Sequence, residues 1–456
     1  MEHFSSLYAS ASVTLLGFGR SGEAVLPTLL ACGARVTVRD RRSLPDTLTA
    51  PYRARGVRFI TGDGYLDGLC EEVIFRSPVI RPDLPALKAA VARGARLTGE
   101  YDEFARLTPA LRLGVTGSDG KTTTATLAAR MLEEDTHNDR RIFLGGNIGV
   151  PLFPLLPQMR TGDLAVLELS SFQLMSAPLP PARAVITNIT QNHLNWHTDM
   201  AEYTAAKECI LGADTVPVLN ADNATTAAMA RIRPDSFVFS SHRDKSSIAR
   251  DFPHCHRICI DGLTICADGV PLLPLEEIRL PGRHNIENYM AAIGLVLPYL
   301  EDREAVRRVA RSFYGVPHRL ELVGEESGVL YYNSSIDSTP TRTAAALSAL
   351  NARPILLCGG RGKGVSLAPL ARAVKTHAKA VVLFGESREA LCEALRDCGV
   401  PLLSASTMKE AFFLAKDMAR TGDTVLLSPA CTSFDEFTDF NERGECFRRL
   451  VKGVVL

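Results

Sequence analysis

No stretch of this chain approaches the ~20 consecutive apolar residues that a bilayer-spanning helix needs, and no tract is repetitive or compositionally simple. A membrane span and a repeat array are excluded as readings of the sequence. Surplus charge is also lacking. Lysine plus arginine and aspartate plus glutamate both number 51, so there is no net field to hold a polyanion or an anionic lipid surface, and neither nucleic acid nor membrane is expected as a partner. The eleven cysteines, from Cys32 to Cys446, lack paired metal-knuckle spacing and are expected to be reduced, buried thiols of a cytoplasmic protein. Nothing before Val13 joins a basic start to an apolar run, so no secretion signal is expected.

What is present suffices for several cores. At 456 residues, with 46% hydrophobic and 22% charged side chains, the chain has the composition of a packed globular protein of roughly three domains of about 150 residues. From Ser12 an apolar strand leads into GFGRSG, a helical pattern over 23–32, and a second strand ending at Asp40, the opening βαβ unit of a doubly wound sheet. VRFIT and EEVIFRSPVI read as further strands and 86–93 as a helix, closing a first domain at 1–100. LRLGVT then starts a second parallel sheet over 101–315, continued by LAVLEL and AVITNI; the polar stretch 240–271 reads as a small β excursion. GVPHRLELV opens a third α/β unit, 316–456, with strands PILLCGG, AVVLFG and TVLLSPA.

Within the second unit, GVTGSDGKTT carries the strongest local signal. Gly117, Ser118 and Gly120 let backbone N–H groups approach phosphate oxygens, Lys121 adds a fixed positive charge, and Thr122 and Thr123 offer hydroxyls at the positive end of a helix, Thr122 to magnesium. The eight-residue P-loop pattern would require glycine at Val115, and Gly114 stands one step earlier. A tight turn with a surface lysine is the bland alternative; strand, glycines, Lys-Thr and helix in this order favour phosphate.

That spacing resembles the phosphate loop of the Mur ligases, the amide-forming ligases of peptidoglycan synthesis. GGNIG at 145–149, LELSSFQL at 167–174, NHLNWH at 192–197, EYTAAK at 202–207, GRHNIEN at 282–288, PHRLE at 317–321, CGGRGKG at 358–364 and LSPACTSFDEF at 427–437 follow in family order. The resemblance implies an α/β protein of three domains: Rossmann-like N-terminal, central P-loop-type ATPase with a mainly parallel sheet, and Rossmann-like C-terminal. ELSSFQ and SPACTSFD are similar to the member that joins D-glutamate to UDP-N-acetylmuramoyl-L-alanine with ATP and Mg²⁺, and a monomer is expected.

The resemblance also implies roles. Lys121 would hold the β and γ phosphates; Thr122, Glu168, His193 and Lys207 would serve the metals, Lys207 as the lysine carbamylated by CO₂. Asn285, Asn288 and Arg319 would contact ATP. Asn147, Gln173 and His193 would guide the muramoyl-alanine end, while Gly19, Arg20 and Ser21 in the first glycine loop, with Asp40, Arg41, Ser77 and Pro78, would hold uracil and diphosphate. Lys363, Ser338, Ser433 and the backbone near Phe440 would take D-glutamate. Ser334 stands where the family has an ATP-contacting aspartate, and Asp337 is expected to replace it; Asp119, Asn192 and Asn195 are further departures. Read singly, Lys207 would be a solvated helix cation, Glu168 a buried strand-end acid, His193 a structural histidine, Arg319 an interdomain ion pair and Lys363 a loop lysine. Three rivals remain: a sibling or folylpolyglutamate-type ligase, an NAD-dependent dehydrogenase built on GFGRSG and Asp40, and a silent nucleotide-binding module.

Overall fold

The computed structural model describes residues 7–137, 139–148, 151–176, 179–192, 196–280, 282–350 and 352–453. His193, Leu194 and Asn195 lie outside them, as does Gly149.

The first sheet holds β1 (Ser12–Leu16), β2 (Arg35–Asp40), β3 (Arg58–Thr61), β4 (Val73–Arg76) and β5 (Arg96–Thr98), all parallel in the order β3-β2-β1-β4-β5. The helix after β1 begins at Arg20, three residues earlier than periodicity suggests, because Gly19 ends the strand-to-helix turn. The strand order reverses between β1 and β4, and the crevice at such a reversal is where open α/β sheets take ligands. Gly17 and Ser77 meet there.

The second sheet contains β6 (Leu111–Thr116), β7 (Ile142–Gly146), β8 (Leu164–Glu168), β9 (Arg183–Ile186), β10 (Val216–Asn220), β11 (Phe237–Ser240), β12 (His256–Asp261), β13 (Thr264–Ala267) and β14 (Val270–Pro274), ordered β14-β13-β12-β11-β10-β9-β6-β8-β7. Pairing is parallel except for β12–β13 and β13–β14. The stretch 240–271 is therefore only partly β. Asp244 caps a short helix, Lys245–Asp251, and the antiparallel strands start at His256. β8, LAVLE, reads as a nearly continuous apolar run because both faces of a parallel sheet are covered. One buried cluster runs from Val13, Phe75 and Phe104 to Phe153, Leu167 and Tyr203, so the first two sheets share a core.

The chain divides into two compact units after Phe313. The second carries β15 (Glu321–Glu326), β16 (Val329–Asn333), β17 (Ile355–Gly359), β18 (Ala380–Phe384), β19 (Leu402–Ser404) and β20 (Thr424–Ala430) in the order β15-β16-β20-β17-β18-β19, antiparallel only at β15–β16. Ile355 and Leu357 enter one cluster with Phe412 and Phe447, while Leu356 and Cys358 enter another with Leu347 and Leu370. That alternation is the two-residue period of a strand covered on both faces. None of the eleven cysteines is in a disulfide; Cys70, Cys209 and Cys392 are exposed, against the expectation of uniform burial. No helix among the described residues is long and apolar enough to cross a membrane.

Candidate active site

The carboxyl ends of three adjacent strands, β8, β6 and β9, bring Glu168, the loop after Thr116, and Thr187 together. Gly117 has φ +148°, and a Cβ there would lie 1.8 Å from Thr187 Oγ1; Gly120 has φ +79°, and its Cβ would lie 2.3 Å from Asn288 Oδ1. Both positions exclude a side chain by conformation and by space. Ser118 and Asp119 donate their backbone N–H groups to Asn188, at 2.9 and 3.0 Å, which braces the loop. Helix Lys121–Glu133 begins directly after it and presents first-turn N–H groups that no helix interior can satisfy.

Two amines converge on one carbonyl. Lys121 Nζ donates to Gly117 O at 2.9 Å and to Ser118 O at 2.8 Å, and Lys207 Nζ donates to Gly117 O at 2.7 Å. Lys207 is 1% exposed and faces the Tyr203 ring at 4.6 Å. Burial first, then the charge of Lys121, pulls its pKa down to about 6. The solvated cation of the bland reading is thus replaced by a buried amine whose surroundings favour its neutral form. Thr122 Oγ1 donates to Glu168 Oε2 at 2.7 Å and Asn147 Nδ2 to Glu168 Oε1 at 2.8 Å. A buried hydroxyl and a buried carboxylate side by side are hard oxygen donors of the kind that suits Mg²⁺. Gln173 is committed locally: its Oε1 accepts from Ser170 N and Oγ, closing a capping box.

Beside the loop, Gly120, Thr187, Asn188, Phe239, His284 and Asn288 help line a cavity of about 140 Å³. Asn288 accepts from Thr124 Oγ1 and donates to Asn285 Oδ1 at 3.1 Å. Asp119 is exposed at the rim. Asp222, His242 and Glu287 also place ligand-type atoms within 4.8 Å of one another, but His242 Nδ1 accepts from Arg283 and Arg243 lies 3.7 Å from Asp222, so positive charge is already there.

In the first sheet, Gly17 has φ +86° and its Cβ would sit 2.7 Å from Ser77 Cβ. Asp40 accepts from Phe18 N at 2.7 Å and from Arg42 N, Nε and Nη2 at 2.8, 3.0 and 2.8 Å. Burial raises its pKa, and the Arg42 and Phe18 hydrogen bonds overcome that and hold it low. Both Asp40 oxygens are therefore engaged within the protein, which removes the ribose acceptor that a dinucleotide reading requires and also limits the direct nucleotide contact expected of this residue. Its neighbour Arg41 is 78% exposed and pairs with Asp63 at 3.8 Å. Arg20 is exposed, and Gly19, Ser21, Ser77 and Pro78 are half-buried. Arg76, which motif reading passed over, donates to the carbonyls of Ser77, Pro78 and Ile80 and so shapes that loop.

In the second unit, Lys363 Nζ donates to Ser338 Oγ at 3.1 Å. Ser433 is buried, and Phe440, first residue of helix Phe440–Val451, accepts from Ser335 Oγ through its carbonyl at 2.8 Å. Asp337 is 7% exposed and accepts from Ser428 Oγ at 3.0 Å; burial raises its pKa. Its carboxylate is turned inward, so the exchange at Ser334 has not simply moved a free acid along the chain. Ser334 Oγ accepts from Leu320 N, next to Arg319. Arg443, fully buried, donates to Ser335 and the Cys431 carbonyl; it falls just outside the quoted motifs.

Two family models match the chain, "Mur ligase middle domain" over residues 115–296 and "Mur ligase, glutamate ligase domain" over residues 318–431. The UDP-N-acetylmuramoylalanine–D-glutamate ligase of Clostridium novyi is 38% identical across 99% of this chain and 99% of its own length. The enzyme of the same description from Acetivibrio thermocellus is 36% identical across 100% and 99%. Among solved structures, UDP-N-acetylmuramate-alanine ligase MurC from Thermotoga maritima superposes with a TM-score of 0.57 at 19% identity, covering 98% of this chain and 100% of that one. At that identity the likeness speaks for the mostly parallel α/β fold alone.

Proposed function

Because the chain belongs to the Mur ligase family, we propose that it joins D-glutamate to UDP-N-acetylmuramoyl-L-alanine, with ATP hydrolysed to ADP and phosphate. The observation that carries the reading is the buried amine of Lys207 on the same Gly117 carbonyl as Lys121. In this reading the first sheet serves the UDP substrate, the second ATP and the third the amino acid, with divisions at 100/101 and 315/316.

An amide forms from a carboxylate only when oxygen is made a leaving group. The substrate carboxylate attacks the γ-phosphorus, ADP departs, the D-glutamate amine attacks the acyl phosphate, and phosphate leaves. Lys121 exchanges the Gly117 and Ser118 carbonyls for the β and γ phosphates, and the first-turn N–H groups of its helix complete the cradle. Lys207 adds CO₂ through its neutral nitrogen and releases one proton, turning an amine into a carboxylate-bearing ligand. That group, with Thr122, Glu168 and His193, would hold Mg²⁺, which supplies positive charge against the phosphoryl oxygens. Asn285, Asn288 and the cavity beside Gly120 seat the nucleoside, and Arg319 and Asp337 are assigned to ATP contact by the family resemblance. Asp337→Asn should raise the KM for ATP, and an unchanged KM removes Asp337 from that role. Asn147 and Gln173 guide the muramoyl-alanine end; the loop containing Gly19, Arg20 and Ser21, with Arg41, Ser77 and Pro78, holds the UDP end. Lys363, Ser338, Ser433 and the backbone at Phe440 hold the two carboxylates of D-glutamate.

Phosphate release from ATP with Mg²⁺ and UDP-N-acetylmuramoyl-L-alanine tests the reading. Release that requires D-glutamate, and not L-glutamate, L-alanine or diaminopimelate, is expected. Release with another acceptor moves the chain to a sibling activity, and none with any acceptor ends the ligase reading.

A further inference from the structure

The segment between Glu168 and Lys207 holds a histidine to which the family motifs assign no task. His197 is 2% exposed. Its Nε2 lies 2.9 Å from Ser171 Oγ and its Nδ1 3.2 Å from Glu202 Oε2. Ser171 opens the single-turn helix that follows β8 and Glu168, and Glu202 lies in the first turn of helix Met200–Glu208, which carries Lys207. The imidazole therefore bridges the two elements that present the metal-side groups of the proposed reaction.

The bridge is specified at both ends. Arg81 donates to both Glu202 oxygens, at 2.7 and 3.1 Å, and to Trp196 O at 2.8 Å. Its hydrogen bonds, the largest influence, hold Glu202 ionised with a pKa of about 2. An ionised Glu202 accepts only, so the network places the proton on Nδ1 and leaves Nε2 to accept from Ser171. The ring stacks on Phe172 at 5.6 Å and meets Tyr203 edge-on at 5.2 Å. Tyr203 in turn reaches Ser118 of the phosphate loop at 3.0 Å. Arg81 belongs to the loop after β4, directly beyond Ser77 and Pro78, and Trp196 Nε1 donates back to Val79 O at 2.8 Å. One chain of contacts thus runs from the UDP-side loop through Arg81 and Glu202 to His197, and from there to Ser171 and Tyr203.

We propose that His197 is a positioning residue that fixes the Lys207 helix against the strand end bearing Glu168, with Arg81 and Glu202 as its anchor to the UDP-side loop. The proposal rests on the reading of Glu168 and Lys207 as metal-side groups. Groups that orient metal ligands without touching the metal typically change affinity by about 10–100-fold when removed.

The test is Mn²⁺ binding to the full chain with ADP, followed by the electron paramagnetic resonance signal of free Mn²⁺. His197→Ala should bind Mn²⁺ about tenfold more weakly than wild type. His197→Gln, which keeps a donor and an acceptor on one side chain, should recover most of the loss. A His197→Ala protein, folded by circular dichroism, that binds Mn²⁺ within about twofold of wild type overturns the proposal. If that variant does not fold, Glu202→Gln is held to the same threshold. A wild type that binds Mn²⁺ yet releases no phosphate with D-glutamate sinks the ligase reading and leaves the Mn²⁺ comparison to decide the role of His197. A wild type that binds no Mn²⁺ overturns both.

Discussion

Water reaches only 1% of Lys207, and the consequences are measurable in two ways. With its pKa pulled to about 6 by burial and by Lys121, the folded chain binds fewer protons than the unfolded one between about pH 6 and the ordinary lysine value near 10.4. This residue's contribution to stability therefore rises with pH across that window. Lys207→Met lacks the term, so its melting temperature relative to wild type should be most favourable near pH 6 and lose ground as pH rises; a constant difference refutes the assignment. On the proposed reaction, activity at limiting bicarbonate should fall as pH drops through about 6, because the amine that adds CO₂ becomes protonated. Nothing local in EYTAAK announces this burial. It follows from packing of the Met200–Glu208 helix against the phosphate loop, a long-range contact that spacing within one helix does not encode. Asp40 teaches the opposite lesson: its position at the end of β2 was legible, whereas its capture by Arg42 depends on which way a side chain two residues on turns back.

Strand, glycine turn and helix around Lys121 were readable because each signal is local and each agrees with the next. The glycines there are tied to space as well as conformation, and the two causes separate by experiment. Gly117→Ala sets a methyl 1.8 Å from Thr187 Oγ1 at φ +148°, and should cost about 2–4 kcal/mol and raise the KM for ATP. Gly33→Ala shares a positive φ, +79°, but meets nothing within 4 Å, so about 1–2 kcal/mol is expected, with nucleotide kinetics unchanged. Equal losses in thermal unfolding would show that the Thr187 contact is not what demands glycine at 117. In the stretch 240–271 the strands were legible and the helix was not, for an elemental reason. Helix Lys245–Asp251 is short, polar and held by the Asp244 cap, so it offers no apolar period to set against the strands that follow.

The first two sheets share one buried cluster and the third has two of its own, a division of cores that motif order could not reveal because the motifs run evenly along the chain. Calorimetry should resolve two transitions, with Mg·ADP raising the one that belongs to residues up to Phe313. A single transition whose calorimetric and van't Hoff enthalpies agree would mean that the two units unfold together.

The Gly117 carbonyl, shared by Lys121 and Lys207, also sets a charge count. Two ammonium groups on one oxygen repel, and that repulsion adds to burial, the larger cause, in pulling the pKa of Lys207 down. Replacing Lys121 with methionine should accordingly return part of the lost basicity to Lys207, moving the acid limb of its titration upward; an unmoved limb would assign the shift to burial alone. With Lys207 drawn toward its neutral form, the resting loop meets a triphosphate with less positive charge than two lysines on one carbonyl would suggest.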